Sequence, residues 1–473
     1  LNLKMYKKVF LIILLLSSLI ISSQPVSAQQ ASGPVYIVQP GDSLSSIAEF
    51  FSVSLTELMS ANGITDANQL NAGQPLIIPN LEGITGELNI ELINFGDSFR
   101  SLIRRTQVPQ AIFKKLNHVV SPSQFYVGAR MILPAQEGNQ PPATRVSTSA
   151  GESLLELAVK QNTDPWTLAE VNDLQGSWDS VPGDTIFAPG GDGTQSTSGL
   201  PSAFISAKIR DLPIKQGGTG IITAQTIPGV TLGGVLVDHP LHFFPMADGT
   251  QVALQGVHAL LTPGVYPLRL DATLPDGSMQ SYEQSILIVS GYYLTGENLV
   301  VDPSLIDPAV TDPEQKQLES ITLPSTPTKY WEGGFTSPAV AYAESTFYTS
   351  RYGTRRTYIG QGTDLKIDWW HTGLDFGGGT GLPISAPARG KVVFAEAWTV
   401  RGNTTIIDHG WGIYSGFWHQ SEIKVQVGDI VEQGQVIGLV GGTGRVTGPH
   451  LHWELWVNGI QVDPLDWISQ IYP

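Results

Sequence analysis

The chain has 473 residues, 41% of them hydrophobic, with 26 basic and 42 acidic residues, a formal net charge of −16 and no cysteine. That length calls for about three domains or more. The acidic balance excludes a nucleic-acid binder with a basic face, and the lack of cysteine excludes disulfides, thiolate metal sites and a lipidated cysteine. In chain order, Met5 is followed by Lys7 and Lys8, an unbroken apolar run from Val9 to Leu16, a Ser-broken extension to Ile21, and a polar stretch ending in Val26-Ser27-Ala28. Charge, apolar core and small residues in that order predict a secretory signal over residues 1–28. The apolar run is short for a bilayer span, and no other segment approaches one, so the expected destination is secreted or within the cell envelope.

Self-comparison then reveals a period of 55 residues. Gly41-Asp42-Ser43-Leu44 recurs as Gly96-Asp97-Ser98-Phe99 and as Gly151-Glu152-Ser153-Leu154; Asn62 recurs as Asn117 and Asn172; Gly73 as Gly128 and Gly183; Pro79 as Pro134 and Pro189. Each repeat reads as strand, helix, helix, strand. In the first, Val35–Val38 alternates as a strand, Asp42 or Ser43 caps a helix with Leu44, Ile47 and Ala48 on one face, and a second helix from about Ser54 turns Leu55, Leu58 and Met59 inward. The Gly-Asp-Ser-Leu text also matches a serine-esterase nucleophile signature, with Asp368 and His371 as partners. A nucleophile is not carried three times at a fixed period, so that reading is rejected. The βααβ unit resembles the LysM module, most closely in the first repeat. The resemblance implies three small α+β modules (35–80, 90–135 and 145–190) that bind N-acetylglucosamine-containing glycans such as peptidoglycan.

The Gly/Ser/Thr-rich stretch 190–199 reads as a flexible linker. From 203 to 293, short β-branched and aromatic runs alternate with turn signals, among them Asp248-Gly249 and Asp276-Gly277. About seven strands are expected there, in an all-β immunoglobulin-like sandwich. His239, His242 and His258 have no carboxylate at ligand spacing and are read as structural. Residues 296–330, rich in Asp, Pro and Glu, read as an extended acidic connector.

Residues 331–473 hold five of the nine histidines. His371 and Asp375, four apart, share a face of a strand or a helical turn. His450 and His452, two apart, share one face of a strand, which suits two metal ligands or a ligand beside a catalytic base. A His/His/Asp set suits zinc with a fourth position open, and the absence of H-E-x-x-H excludes a thermolysin-like arrangement.

The texts His371-Thr372-Gly373-Leu374-Asp375 and His450-Leu451-His452, with the glycine-punctuated run 424–444 between them, resemble the M23 (lysostaphin-type) zinc endopeptidases over about 140 residues. The resemblance implies a mainly antiparallel β metallopeptidase domain that cleaves peptidoglycan cross-links. It implies His371, Asp375 and His452 as ligands of Zn2+, and His450 and His419 as catalytic histidines. Phe417-Trp418-His419-Gln420 departs from the family's usual Tyr-x-His-Leu but keeps the histidine; His409 is read as structural. The rival reading is a catalytically silent wall-binding protein that regulates another wall hydrolase.

Overall fold

The computed structural model describes residues 33–81, 83–106, 108–119, 121, 124–135, 143–148, 152–180, 185–189, 199–341 and 348–473. The secretory signal expected over 1–28 lies outside them. The described residues form two compact units: those between 33 and 91 with those of 106–119 and 130–135, and those of 92–105, 121–129 and 143–473. The second repeat is divided between them.

In the first unit, Val35–Ile37 pairs antiparallel with Pro75–Ile77 and parallel with Glu87–Leu92, in a sheet completed by Arg130–Pro134. Helices Leu44–Phe50 and Leu55–Ala61 start at Ser43 and Ser54, each making a capping box. Asp42, the other candidate cap, instead accepts from Tyr36 Oη and the Gln39 amide, both at 2.7 Å. Leu44, Ile47, Leu58, Leu76 and Ile78 form the core, with Leu55 and Met59 packed at its edge.

The structure gives the repeated asparagine a physical role. The Asn62 amide donates to Leu58 O and Ile77 O, both at 2.8 Å, and its Oδ1 accepts from the Ile77 amide at 2.7 Å, so one side chain ties the second helix to the closing strand. Asn117 does the same with Phe113 O and both backbone groups of Ile132. Asn172 does so with Leu168 O and both backbone groups of Phe187. The third repeat places helices Leu154–Lys160 and Pro165–Val171 against the hairpin Ala143–Ser147/Thr185–Pro189.

Between 204 and 289 two sheets face one another. One is ordered His239–Pro240, Thr231–Leu236, Gly264–Thr273, Met279–Val289, Ile214–Lys215; the other is Phe243–Pro245, Gln251–Gly256, Thr219–Thr226, Phe204–Arg210. Leu236, Leu268, Leu270 and Ile288 of the first meet Ile222, Ala224 and Ala253 of the second in one buried cluster. The expected turns form where Gly249 and Gly277 adopt φ of +82° and +83°.

This sandwich is fused to the C-terminal region. Ile221, Phe244, Val252 and Leu254 belong to the same buried cluster as Trp331, Trp411, Leu455 and Trp467. The Phe244 and Trp411 rings stack with centroids 4.9 Å apart.

The stretch read as an extended connector is not one. Leu299–Val301 pairs parallel with Arg355–Gly360, and Pro308–Thr322 is a helix. Asp307 caps that helix, Pro308 sits in its first turn, and Leu318 is fully buried.

The final region is built on an antiparallel sheet ordered Tyr348–Ser350, Leu374–Gly377, His450–Val457, Ile413–Gln420, Gly402–Gly410, Gly390–Trp398, Ile430–Val431, with Ile460–Val462 paired to His450–Val457. The mainly antiparallel architecture expected from the sequence is present. Three of its strands position the candidate site.

Candidate metal centre

Strand register brings the site together. Asp375 on Leu374–Gly377 lies directly opposite His452 on His450–Val457, and Trp418 lies opposite His452 from the other side. His371 enters from the loop just before the first of these strands. Gly373 permits that approach, since a Cβ there would stand 2.3 Å from Trp453 O and 2.8 Å from His452 Nε2. His450 and His452 do share a face: their ring nitrogens stand 3.6 Å and 2.8 Å from Asp375 Oδ1.

His419 arrives by a different device. Between the pairs Asn403–Gln420 and Thr405–Phe417 the register slips, and His419 adopts φ of +64°. This bulge re-aims its ring, leaving its centroid 5.1 Å from His450 and 6.1 Å from His452.

The acceptors around the rings fix the tautomers. A carbonyl or carboxylate oxygen can only accept, so the nitrogen facing it carries the hydrogen. His371 Nδ1 donates to Arg351 O at 2.9 Å, His450 Nδ1 to Gly448 O at 2.9 Å and His419 Nδ1 to Thr443 O at 2.8 Å. His452 is turned the other way: its Nε2 donates to Glu454 Oε1 at 3.1 Å. In neutral rings, with one hydrogen each, the lone pairs left over are Nε2 of His371 and Nδ1 of His452, which stand 2.9 Å and 2.8 Å from Asp375 Oδ1 and 3.0 Å from each other, contacts that need a shared proton or a cation between them.

Three acceptor atoms in so small a triangle, on residues 4–7% exposed, require a positive charge among them. The electrostatics agree. Burial opposes charge on both Asp375 and His452. The two histidines nevertheless hold the Asp375 carboxyl well below its usual range, and hydrogen bonds to Asp375 and Glu454 push His452 up to about 9. A proton serves there when no cation does. Burial pushes His371 down, and burial with His450 and His452 nearby pushes His419 well down, favouring neutral rings.

The donor set suits a metal ion. A tetrahedral zinc with ligands at about 2.0–2.1 Å sets neighbouring ligand atoms roughly 3.3 Å apart, close to the edges found. His409 is apart from this cluster. It is fully buried between Arg389 O and Ser415 Oγ, both at 2.9 Å, as a structural histidine should be.

Sequence reasoning missed Glu454. It is 2% exposed, and its Oε1 also accepts from Thr372 Oγ1 at 2.6 Å and Trp418 Nε1 at 3.0 Å, while Oε2 accepts from Gln461 Nε2 at 3.0 Å. Two residues beyond His452 on one strand, it shares that face, so the period of two was the available signal. Such a carboxylate behind a ligating histidine fixes its tautomer and raises its basicity. Also missed were Ser350, whose hydroxyl is 3.2 Å from His371 Nδ1, and Arg356, 3.7 Å from Asp375 Oδ2.

Residues 370–464 match Peptidase family M23, and residues 36–79, the first repeat, match the LysM domain. Among curated proteins, the peptidoglycan DD-endopeptidase ShyA of Vibrio cholerae serotype O1 is 43% identical over 95 residues, 20% of this chain and 22% of that protein. The DD-carboxypeptidase/endopeptidase Mpg of Neisseria meningitidis serogroup B is 36% identical over 136 residues, 28% of this chain and 29% of that protein. Among solved structures, lysostaphin from Staphylococcus simulans is 34% identical, with 21% of this chain and 44% of that chain covered and a TM-score of 0.20. The matched regions thus span less than a third of the length of these two curated relatives.

Proposed function

We propose that this chain is an exported peptidoglycan hydrolase. In this reading residues 331–473 form a zinc endopeptidase that cleaves peptide cross-links, and the N-terminal repeats hold the enzyme on glycan strands. The observation that carries the reading is the convergence of the His371 Nε2 and His452 Nδ1 lone pairs on Asp375 Oδ1, at 2.9 and 2.8 Å. The Peptidase family M23 match over 370–464 and relatives named as peptidoglycan DD-endopeptidases support it. The LysM match over 36–79 supports the glycan-binding role. Tethering of this kind raises the effective substrate concentration at the site. Export would remove residues up to about Ala28. Among the described residues no helix is long and apolar enough to cross a membrane. The sandwich over 203–293 is read as immunoglobulin-like, with its short Ile214–Lys215 strand parallel to Met279–Val289.

His371, Asp375 and His452 would hold the metal, with Glu454 orienting His452. When bound, zinc supplies Lewis acidity toward the scissile carbonyl and lowers the pKa of water towards neutrality. His450 and His419 do the proton work. Gly448 O and Thr443 O commit their Nδ1 hydrogens. Each ring is left an Nε2 able to take a proton from the attacking water or return one to the departing amine.

Digestion of purified peptidoglycan by the full chain, with new amino termini identified by mass spectrometry, tests the proposal. Termini at peptide cross-links should form, disappear with a chelator and return with zinc. Release of sugar reducing ends in their place, or no release at all, refutes it.

A further inference from the structure

The His371–Asp375–His452 cluster lies in a cleft of ≈ 750 Å³ also lined by Arg351, Arg356, Arg401 and Arg445. Apart from Asp375 and Glu454, already part of the cluster, the single acidic residue lining this cleft among the described residues is Glu297. A chain of net charge −16 has therefore gathered four guanidinium groups beside its candidate site. Two of them have partners. Arg401 pairs with the buried Glu314 at 2.8 Å and donates to Gln315 Oε1 at 2.8 Å. Arg356 donates to the Ser350 hydroxyl and faces Asp375.

The other two make no ion pair among the described residues, although the Glu314 carboxylate lies near enough to favour the Arg445 charge and Arg351 favours the charge of Asp463. No carboxylate stands within ion-pair distance of Arg445 or Arg351 among the described residues. Arg445 is half-buried, its guanidinium held 4.3 Å above the Tyr358 ring and by one hydrogen bond, to Leu305 O at 3.1 Å. That bond uses one of five donors in a planar fork. Burial works against the Arg445 charge, and Arg401 and Arg356 add like charge nearby; Glu314, already paired with Arg401, offsets this only in part. A half-buried cation with neighbours of its own sign is costly unless an anion joins it. The position is fixed relative to the chemistry, because Arg445 stands five residues before His450 in the loop leading to that strand.

We propose that Arg445, assisted by Arg351, is a specificity-determining residue that binds a free carboxylate of the peptide substrate beside the scissile bond, so that the site selects carboxylate-bearing stem peptides over their amidated counterparts. This rests on the peptidase reading above and names its substrate class. The planar fork favours a bidentate carboxylate, and its contact with the Tyr358 ring, 4.3 Å from the centroid, holds it in place.

The test uses the zinc-loaded full chain and an uncross-linked stem tetrapeptide, prepared with free carboxylates and as the carboxamide, with binding of each measured by calorimetry. The acid should bind about 10- to 100-fold more tightly than the amide, as befits one charge-assisted bidentate contact. In Arg445→Gln the ratio should fall to near one. Arg445→Lys, a point charge without the fork, should keep part of it, and Arg351→Gln should reduce it less. Melting curves check that each variant folds; the wild-type ratio and the exposed Arg351 variant decide the matter even where Arg445→Gln does not. Equal binding of the two peptides, absence of binding by either, or a full ratio in both Gln variants overturns the proposal. Wall digestion is read separately: a chain that cuts cross-links yet binds acid and amide alike refutes this inference alone.

Discussion

Glu454 offers the sharpest perturbation, because one carboxylate joins stability to metal affinity. Its Oε1 accepts from Thr372, Trp418 and His452, and its Oε2 from Gln461. Glu454→Ala strips all four donors of their acceptor. The Thr372 hydroxyl can rotate and Gln461 reaches partly into solvent, so those two can find other partners. Trp418 Nε1 and His452 Nε2 are enclosed and cannot. Two buried donors left unsatisfied, at about 1–3 kcal/mol each, give a loss of about 2–6 kcal/mol. His452 also loses the group that holds its hydrogen on Nε2, and metal affinity should fall about 10- to 100-fold.

Glu454→Gln separates the two effects. Its amide oxygen can still accept from Thr372, Trp418 and His452, and a flipped Gln461 can offer its oxygen to the new amide. Stability should therefore change by only about 1 kcal/mol. Metal affinity should drop towards the lower end of that range, since a neutral oxygen raises His452 basicity less. Competition with a zinc-indicator chelator measures affinity, thermal unfolding measures stability, and the His452 ring nitrogen chemical shifts report the tautomer. A folded Glu454→Ala protein with unchanged zinc affinity would refute the claim that Glu454 orients His452.

Three further outcomes follow from other contacts in the structure. His371→Ala, Asp375→Ala and His452→Ala should lose bound zinc and activity together. His450→Ala and His419→Ala should retain about one equivalent while turnover falls roughly 100- to 10,000-fold; elemental analysis paired with wall-lysis rates tells the groups apart, and zinc loss from the His450 variant would break the division of roles. Burial pushes the fully buried His409 down to about 4. Because the unfolded chain binds that proton first, the stability His409 confers is complete above about pH 6.5 and is lost as pH falls through 4, by about 3 kcal/mol in all. Urea midpoints followed by tryptophan fluorescence should fall more steeply with acid in the wild type than in His409→Gln, and equal slopes would count against this account. Asn172→Ala should cost about 2–4 kcal/mol, since it leaves Phe187 without partners for both backbone groups; hydrogen exchange at the Phe187 amide should accelerate, and unchanged protection would show that the clamp is dispensable.

Much of this was legible along the chain because the signals are local. Ser43, Ser54 and Ser153 cap helices through groups three residues away. The Asp-Gly turns need only the two residues at their centre. The His450/His452 spacing fixes a common face through strand periodicity alone. The helix Pro308–Thr322 was illegible for the converse reason. Two prolines in fifteen residues, one of them Pro313 inside the helix, lower its intrinsic helicity. It is held by long-range contacts: Glu314 accepts from the Val400 and Arg401 amides at 2.8 and 3.1 Å and pairs with the Arg401 guanidinium. No periodicity within residues 308–322 announces partners more than 80 positions away.

By itself, then, the sequence determined the 55-residue repeat and its strand–helix–helix–strand order, and, through the family resemblance, it nominated His371, Asp375 and His452 as candidate metal ligands. Only the tertiary structure decided how they meet. His371 and His452 are 81 residues apart and touch because the strands carrying Asp375 and His452 pair in one particular register. A slip by one residue would turn His452 to the opposite face. The bulge that aims His419 lies in a separate pairing, of Gly402–Gly410 with Ile413–Gln420, so the site needs two pairings to come out right. The Asp375–His452 register goes with burial of Leu374, Phe376, Leu451, Trp453 and Leu455 in one cluster with Trp331, Trp411 and Trp467, a cooperative property of many residues that no short stretch of text can encode.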